Sequence, residues 1–192
     1  MGEWVVGVVR ILLSLMLFAG LHEYAPRSWG GLAVLLALAV LSFLVTFFHE
    51  LAHALAVWWQ RGTVLAISVF GLTYVPRQRR LTFEPLPRGG DLGGFVRLRP
   101  PEGGWTRWQH AIVLAAGPLS DAIAALLALA ASAALSMSAS SPEAPLASML
   151  MVVAFISSLG NLLPYRGSDG AGLLALWRGR NRFARTKKPD KK

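Results

Sequence analysis

Residues 49–53 read His-Glu-Leu-Ala-His. On a helix, positions i and i+4 share a face, so His49 and His53 can aim their imidazoles at one point while Glu50 lies beside them. Two neutral imidazoles suit a zinc ion, and a third ligand of oxygen type leaves a fourth position for water, whose pKa such an ion lowers to about 7. Glu50 would then accept that water's proton, and the chemistry is metal-assisted hydrolysis. The chain has no cysteine, so nitrogen and oxygen must supply every protein ligand and no disulfide can form.

These residues lie near the end of an apolar run from Leu32 to Trp59. Ionisable groups inside a bilayer cost roughly 2.5–3.5 kcal/mol each on insertion scales, so they persist where function or pairing holds them. A bare HExxH also arises where two histidines pack in a bundle against unrelated partners. Its position within a helix of membrane length favours the metal site over that reading.

The surrounding composition sets the frame that must position these groups. The chain has 192 residues, 54% of them hydrophobic, and a mean hydropathy of +0.49. The apolar content comes in four blocks, about Trp4 to Leu21, Gly31 to Trp59, His110 to Met137 and Leu146 to Leu163, each long enough to cross a core of about 30 Å. The first carries Arg10 and lacks the small-residue cleavage site of a signal peptide, so it reads as a retained helix. The expected fold is an all-α polytopic membrane protein of about four transmembrane helices, with residues 1–177 as one domain and 178–192 as a basic, disordered tail.

The net charge of +9 is unevenly spread. Arginines 61, 77, 79, 80, 88, 97, 99 and 107 fall between the second and third runs, and the remaining Lys and Arg downstream all follow the fourth. The connections on the other side, His22–Gly30 and Ser138–Pro145, hold only Arg27. The positive-inside rule therefore places the basic segments and both termini in the cytoplasm, against anionic lipid. Trp58, Trp59, Trp105, Trp108, Trp4 and Trp177 fall on that same side, as interface anchors would. Inside-positive loops account for the arginines, so nucleic acid is not expected as a partner.

Between the second and third runs, Val64 to Val75 and Leu81 to Glu84 read as short strands, and Gly94-Phe95-Val96-Arg97-Leu98-Arg99 alternates apolar and basic residues as a half-buried edge strand does. The expectation is a small cytoplasmic sheet or hairpin at the membrane surface. Such an edge either stays a solvated cap or pairs with an extended segment of another chain. After the fourth run, Pro164 stops the helix and Asp169-Gly170 opens another short apolar stretch to Trp177. This segment can re-enter the bundle, and Asp169 is the best carboxylate candidate for the third ligand. His22 and His110 belong to no ligand-spaced set and read as ordinary polar residues.

The pairing of HELAH with NLLPYRGSDG at 161–170 resembles the site-2 protease family of intramembrane zinc metalloproteases, whose second motif is N-x-x-P-x-x-x-x-D-G. Ala115 to Asp121, AAGPLSD, resembles the family's A-G-P-x-x-N segment, and Gly93-Gly94-Phe95-Val96 resembles its glycine-aromatic membrane-associated strand. The resemblance implies Zn2+ held by His49, His53 and Asp169, Glu50 as catalytic base, and Asn161 as a polar group assisting substrate or the developing oxyanion. It departs from the family at Ala52, where glycine is usual, and at Asp121, where asparagine is usual.

Ala52 should be harmless at a small-residue helix contact. A carboxylate at Asp121 must be protonated, paired or facing a wet cavity, and substrate contact or pairing with an arginine is the expectation. The implied activity is hydrolysis of a peptide bond in or near another protein's transmembrane segment, with Gly94, Phe95 and Val96 pairing to the unwound stretch. A regulatory membrane protein in the cytoplasmic membrane of a bacterial-type cell is the implied substrate. Two other readings stay open: a catalytically silent scaffold that binds transmembrane helices, and a zinc-dependent membrane hydrolase of a lipid or small molecule.

Overall fold

The computed structural model describes residues 28–84, 93–136, 144–165 and 167–180, together with scattered positions between 8 and 26. Arg10, His22, Arg27 and the expected tail from 181 onward lie outside the described residues. Four helices are complete: α1 (Gly31–Trp59), α2 (Arg107–Ser136), α3 (Ala144–Leu162) and the short α4 (Asp169–Trp177). Among the described residues α1, α2 and α3 are long and apolar enough to cross a membrane. The run from Trp4 to Leu21, expected as a further span, is described only in part, and its described positions are helical, with Leu17 against the core.

The most apolar window of α1 has mean hydropathy 2.6 yet only 11% of it is buried, so most of its large apolar side chains face outward. Leu32, Leu36, Phe48 and Leu55 on α1, and Leu126 and Leu127 on α2, are all exposed. An apolar belt on that scale fits lipid, not water. The chain is an integral membrane protein.

Local chemistry explains where α2 begins. Thr106 and Gln109 form a reciprocal capping box: Thr106 Oγ1 accepts from the Gln109 N–H at 3.2 Å, and Gln109 Oε1 accepts from the Thr106 N–H at 2.9 Å. The helix therefore starts three residues before the apolar run suggests.

The segment between α1 and α2 folds into a four-stranded antiparallel sheet in the order β3-β2-β1-β4, from β1 (Thr63–Val69), β2 (Leu72–Val75), β3 (Arg80–Phe83) and β4 (Gly94–Arg99). The stretch Val64 to Val75, expected as one strand, is two. Phe70 (φ 48°) and Gly71 (φ 87°) both take left-handed backbone, as a two-residue hairpin turn requires, and Val69 pairs with Leu72 across it. The edge strand expected at Gly94–Arg99 is present and lies at the end of the sheet.

Two apolar clusters stand on either side of the histidines. One, deep among the helices, joins Leu41 and Val45 to Ala125, Met149, Val153 and Ala154. The other seals the sheet onto the helix ends through Val57, Val64, Trp105 and Val113, with Ile67, Val96 and Leu98 packed on it. Trp105 is completely buried there.

Candidate metal centre

His49 and His53 project from one face of α1, one turn apart, with ring centroids 4.8 Å apart and planes at 75°. Asp169 reaches them from α4. Ser168 caps that helix: its Oγ accepts from the Ala171 N–H at 3.1 Å and lies 2.9 Å from the Tyr165 carbonyl, to which it donates. A side chain on Gly170 would overlap the Leu162 backbone, so the bare glycine lets the start of α4 lie against the end of α3 and turn Asp169 inward.

The result is a triangle of three atoms. His49 Nε2 and His53 Nε2 are 3.1 Å apart, and Asp169 Oδ2 stands 3.2 Å from the first and 3.3 Å from the second. A tetrahedral ion with bonds of about 2.0–2.1 Å holds its ligands about 3.3 Å apart, so the three edges match. The outer nitrogens decide what the inner ones carry. His53 Nδ1 donates to the Val113 carbonyl at 2.6 Å, and His49 Nδ1 donates to Asp121 Oδ2 at 2.8 Å. A neutral imidazole has one N–H, so both Nε2 lone pairs point inward at a carboxylate oxygen. Three lone pairs this close repel unless a cation sits among them, and the donor set fits a divalent ion.

α2 comes close enough to shape the same space. A Cβ added to Gly117 would land on His49 Nε2 and His53 Nε2, so only glycine leaves the triangle clear. The next residue, Pro118, carries no N–H and interrupts the helix ladder at this level, and the Ser158 hydroxyl donates to its carbonyl at 3.0 Å.

Glu50, buried beside His49, lines two adjoining cavities. The first, about 250 Å³, runs along Phe95, Val96 and Leu98 of β4 and ends at Asp169; the second, about 210 Å³, is bounded by Thr46, Ser157 and Asn161. Gly94 borders both, and a Cβ there would stand 2.7 Å from Glu50 Oε1. The Phe70 N–H donates to the Gly93 carbonyl at 2.7 Å, with Ser68 opposite Phe95 in the next bonded position. Hydrogen-bonded pairs alternate along an antiparallel ladder, so the N–H and C=O of Gly94 and Val96 turn away from β1 toward the open side.

The structure thus brings His49, Glu50, His53 and Asp169 together, with Gly94, Phe95 and Val96 along one cavity. Among the described residues the first, third and fourth of these form the one cluster with ligand spacing. Asn161 stands in the second cavity with its amide nitrogen 3.4 Å from His49 Nδ1. Asp121 is 1% exposed and lines neither of these two cavities; its partners are His49 and Ser157, whose hydroxyl donates to the same Oδ2 at 2.7 Å, in place of the expected arginine. The reason is position: Asp121 falls on the face of α2 turned to His49. His110 is buried against Trp105, apart from the cluster. Sequence reasoning missed Gly117, Val113 and Ser157. Only the AGP segment signalled the first, and nothing local signals a carbonyl or serine in this role.

No curated protein and no solved structure matches the chain significantly. A family model does match, over residues 36–162, about two-thirds of the chain, taking in both histidines, Glu50, Gly117 and Asp121. The match ends before Asp169, which joins the set through geometry. With this coverage, and with the histidines, their neighbouring glutamate and the membrane-length helices in place, the chain belongs to Peptidase family M50, the site-2 protease family of metallopeptidases.

Proposed function

We propose that the chain is an intramembrane zinc endopeptidase that cuts a peptide bond within or near a transmembrane segment of another membrane protein. The observation that carries this reading is the triangle of His49 Nε2, His53 Nε2 and Asp169 Oδ2 with Glu50 at its side, opening onto the free side of β4. Bound by these three side chains, zinc supplies Lewis acidity at a scissile carbonyl and lowers the pKa of a water. Glu50 takes a proton from the attacking water and returns it to the leaving amine, so the carbonyl carbon gains a hydroxyl and the nitrogen a hydrogen. Burial of Glu50 limits competition from bulk water. Asn161, in the adjoining cavity, holds the carbonyl oxygen or the flanking substrate backbone.

A helical substrate satisfies its own amides and must unwind to be cut. The outward N–H and C=O groups of Gly94 and Val96 give an unwound stretch replacement hydrogen bonds and present it in extended form beside Glu50. The arginine-rich segments favour a cytoplasmic side for the sheet and both termini, and in that orientation the cut is accessible from the cytoplasm of a bacterial-type cell. Regulated release of a membrane-tethered protein is the role that fits such a cut.

The test is capture and cleavage. Membrane proteins retained by Glu50→Gln are isolated and incubated with the parent enzyme, with and without a zinc chelator. Chelator-sensitive cleavage near the membrane boundary is expected. Retention without cleavage by a zinc-loaded parent points to the scaffold reading, and turnover of lipid but not protein points to a different hydrolase.

A further inference from the structure

His49 and His53 are the same residue type on the same helix face, yet their outer nitrogens are held differently. His53 Nδ1 donates to a backbone carbonyl, that of Val113, whose place α2 itself dictates. His49 Nδ1 donates to a side chain, the carboxylate of Asp121, and the Ser157 hydroxyl donates to the same oxygen. Asp121 is among the most buried polar residues described and stands at the level of the spanning helices. A buried carboxylate there is costly without hydrogen-bond partners, and the 2.8 Å and 2.7 Å contacts from His49 and Ser157 both fall on its Oδ2.

Resting on the metallopeptidase reading, we propose that Asp121, held in place by Ser157, is a positioning residue for the metal ligand His49. A charged acceptor on Nδ1–H fixes the tautomer that leaves the Nε2 lone pair facing Asp169 and His53. It also sets the ring plane and makes Nε2 a stronger donor than a carbonyl partner would. Asn161 does not fill this place. Its amide nitrogen lies 3.4 Å from the same Nδ1, longer than the Asp121 contact, and an Nδ1 that donates to Asp121 has no lone pair to accept from an amide. The arrangement therefore leaves Asn161 to the cavity and its contents. Asp121 lines neither of the cavities that Glu50 borders, so its hold on the metal site runs through His49.

The test measures zinc affinity by competition with a chromogenic chelator, alongside kcat, KM and the unfolding temperature, for the full-length parent, Asp121→Asn, Asp121→Ala and Ser157→Ala. Outer-sphere partners of metal-bound histidines are typically worth about 10–100-fold in affinity, which is the loss expected for Asp121→Ala, with kcat falling and KM little changed. Asp121→Asn keeps an acceptor oxygen but loses its charge and should recover only part of that loss, and Ser157→Ala should fall between it and the parent, with both measurably below the parent. A folded Asp121→Ala that binds zinc as tightly as the parent overturns the proposal. If Asp121→Ala does not fold, parent-like affinity in both Asp121→Asn and Ser157→Ala overturns it. A parent that binds zinc but cleaves nothing removes the peptidase reading while leaving the affinity comparison standing; a parent that binds no zinc removes both.

Discussion

The helical cluster around His49 and the sheet edge beside it treat polar groups in opposite ways. Inside the helices each outer nitrogen of the two histidines has a fixed acceptor, Val113 for one and Asp121 for the other, and Gly117 leaves no slack between α2 and the inner nitrogens. Along β4 the backbone groups of Gly94 and Val96 are turned away from β1 at the free edge, while those of Phe95 are committed to the sheet. The first region is built to hold an ion in one geometry before any substrate arrives. The second is built to receive a chain whose side chains vary, because backbone hydrogen bonds read extension and not sequence. Glu50 stands at their junction, next to His49 in the chain and against Gly94 in space.

Breaking the closed half should have the largest effect. Asp169→Ala removes one corner of the triangle, so bound zinc, measured by metal analysis after dialysis, should be lost and cleavage should fall to background. Glu50→Gln leaves all three corners in place; kcat should drop by about 10²–10⁴ while zinc content stays at the parent level. Gly117→Ala tests the fit between α2 and the triangle. Its Cβ collides with both Nε2 atoms, so zinc affinity should weaken by at least about tenfold, with a matching loss of activity. Parent-like affinity would show that α2 can move aside.

The open half calls for a gentler change. Val96→Pro removes an outward N–H and spares the β1 ladder, so kcat/KM should fall about 2–10-fold, the worth of one hydrogen bond at about 0.5–1.5 kcal/mol, with zinc and unfolding temperature unchanged. Phe95→Pro removes an N–H that pairs with β1 and should instead lower the unfolding temperature. Equal effects of the two prolines on cleavage and stability would mean that the edge of β4 does not receive substrate.

Several of these features were legible in the chain because they are local. The i,i+4 spacing of His49 and His53 follows from helical period alone, and α1 begins and ends where its apolar run does. The alternation in Gly94–Arg99 announced the edge strand. The hairpin inside Val64–Val75 was not legible, since Phe70 is an unusual residue for a left-handed turn position and no Asn-Gly or Asp-Gly marks it. The partner of Asp121 was not legible either. A buried carboxylate demands a partner, but the sequence offers many arginines and does not say which face of α2 meets α1.

By itself the sequence determined that two imidazoles and a carboxylate share one end of a membrane helix, that basic segments fall on every second connection between apolar runs, and that Asp169 follows a helix stop. These depend on residue spacing and solvent preference, which act over a few turns. The tertiary structure alone decided that Asp169 closes the triangle, that Val113 and Asp121 orient the two rings, and that Gly94 brings the sheet edge against Glu50. Those contacts join residues far apart in the chain, and they arise where side-chain volumes on separate helices and strands fit together, which no local period encodes.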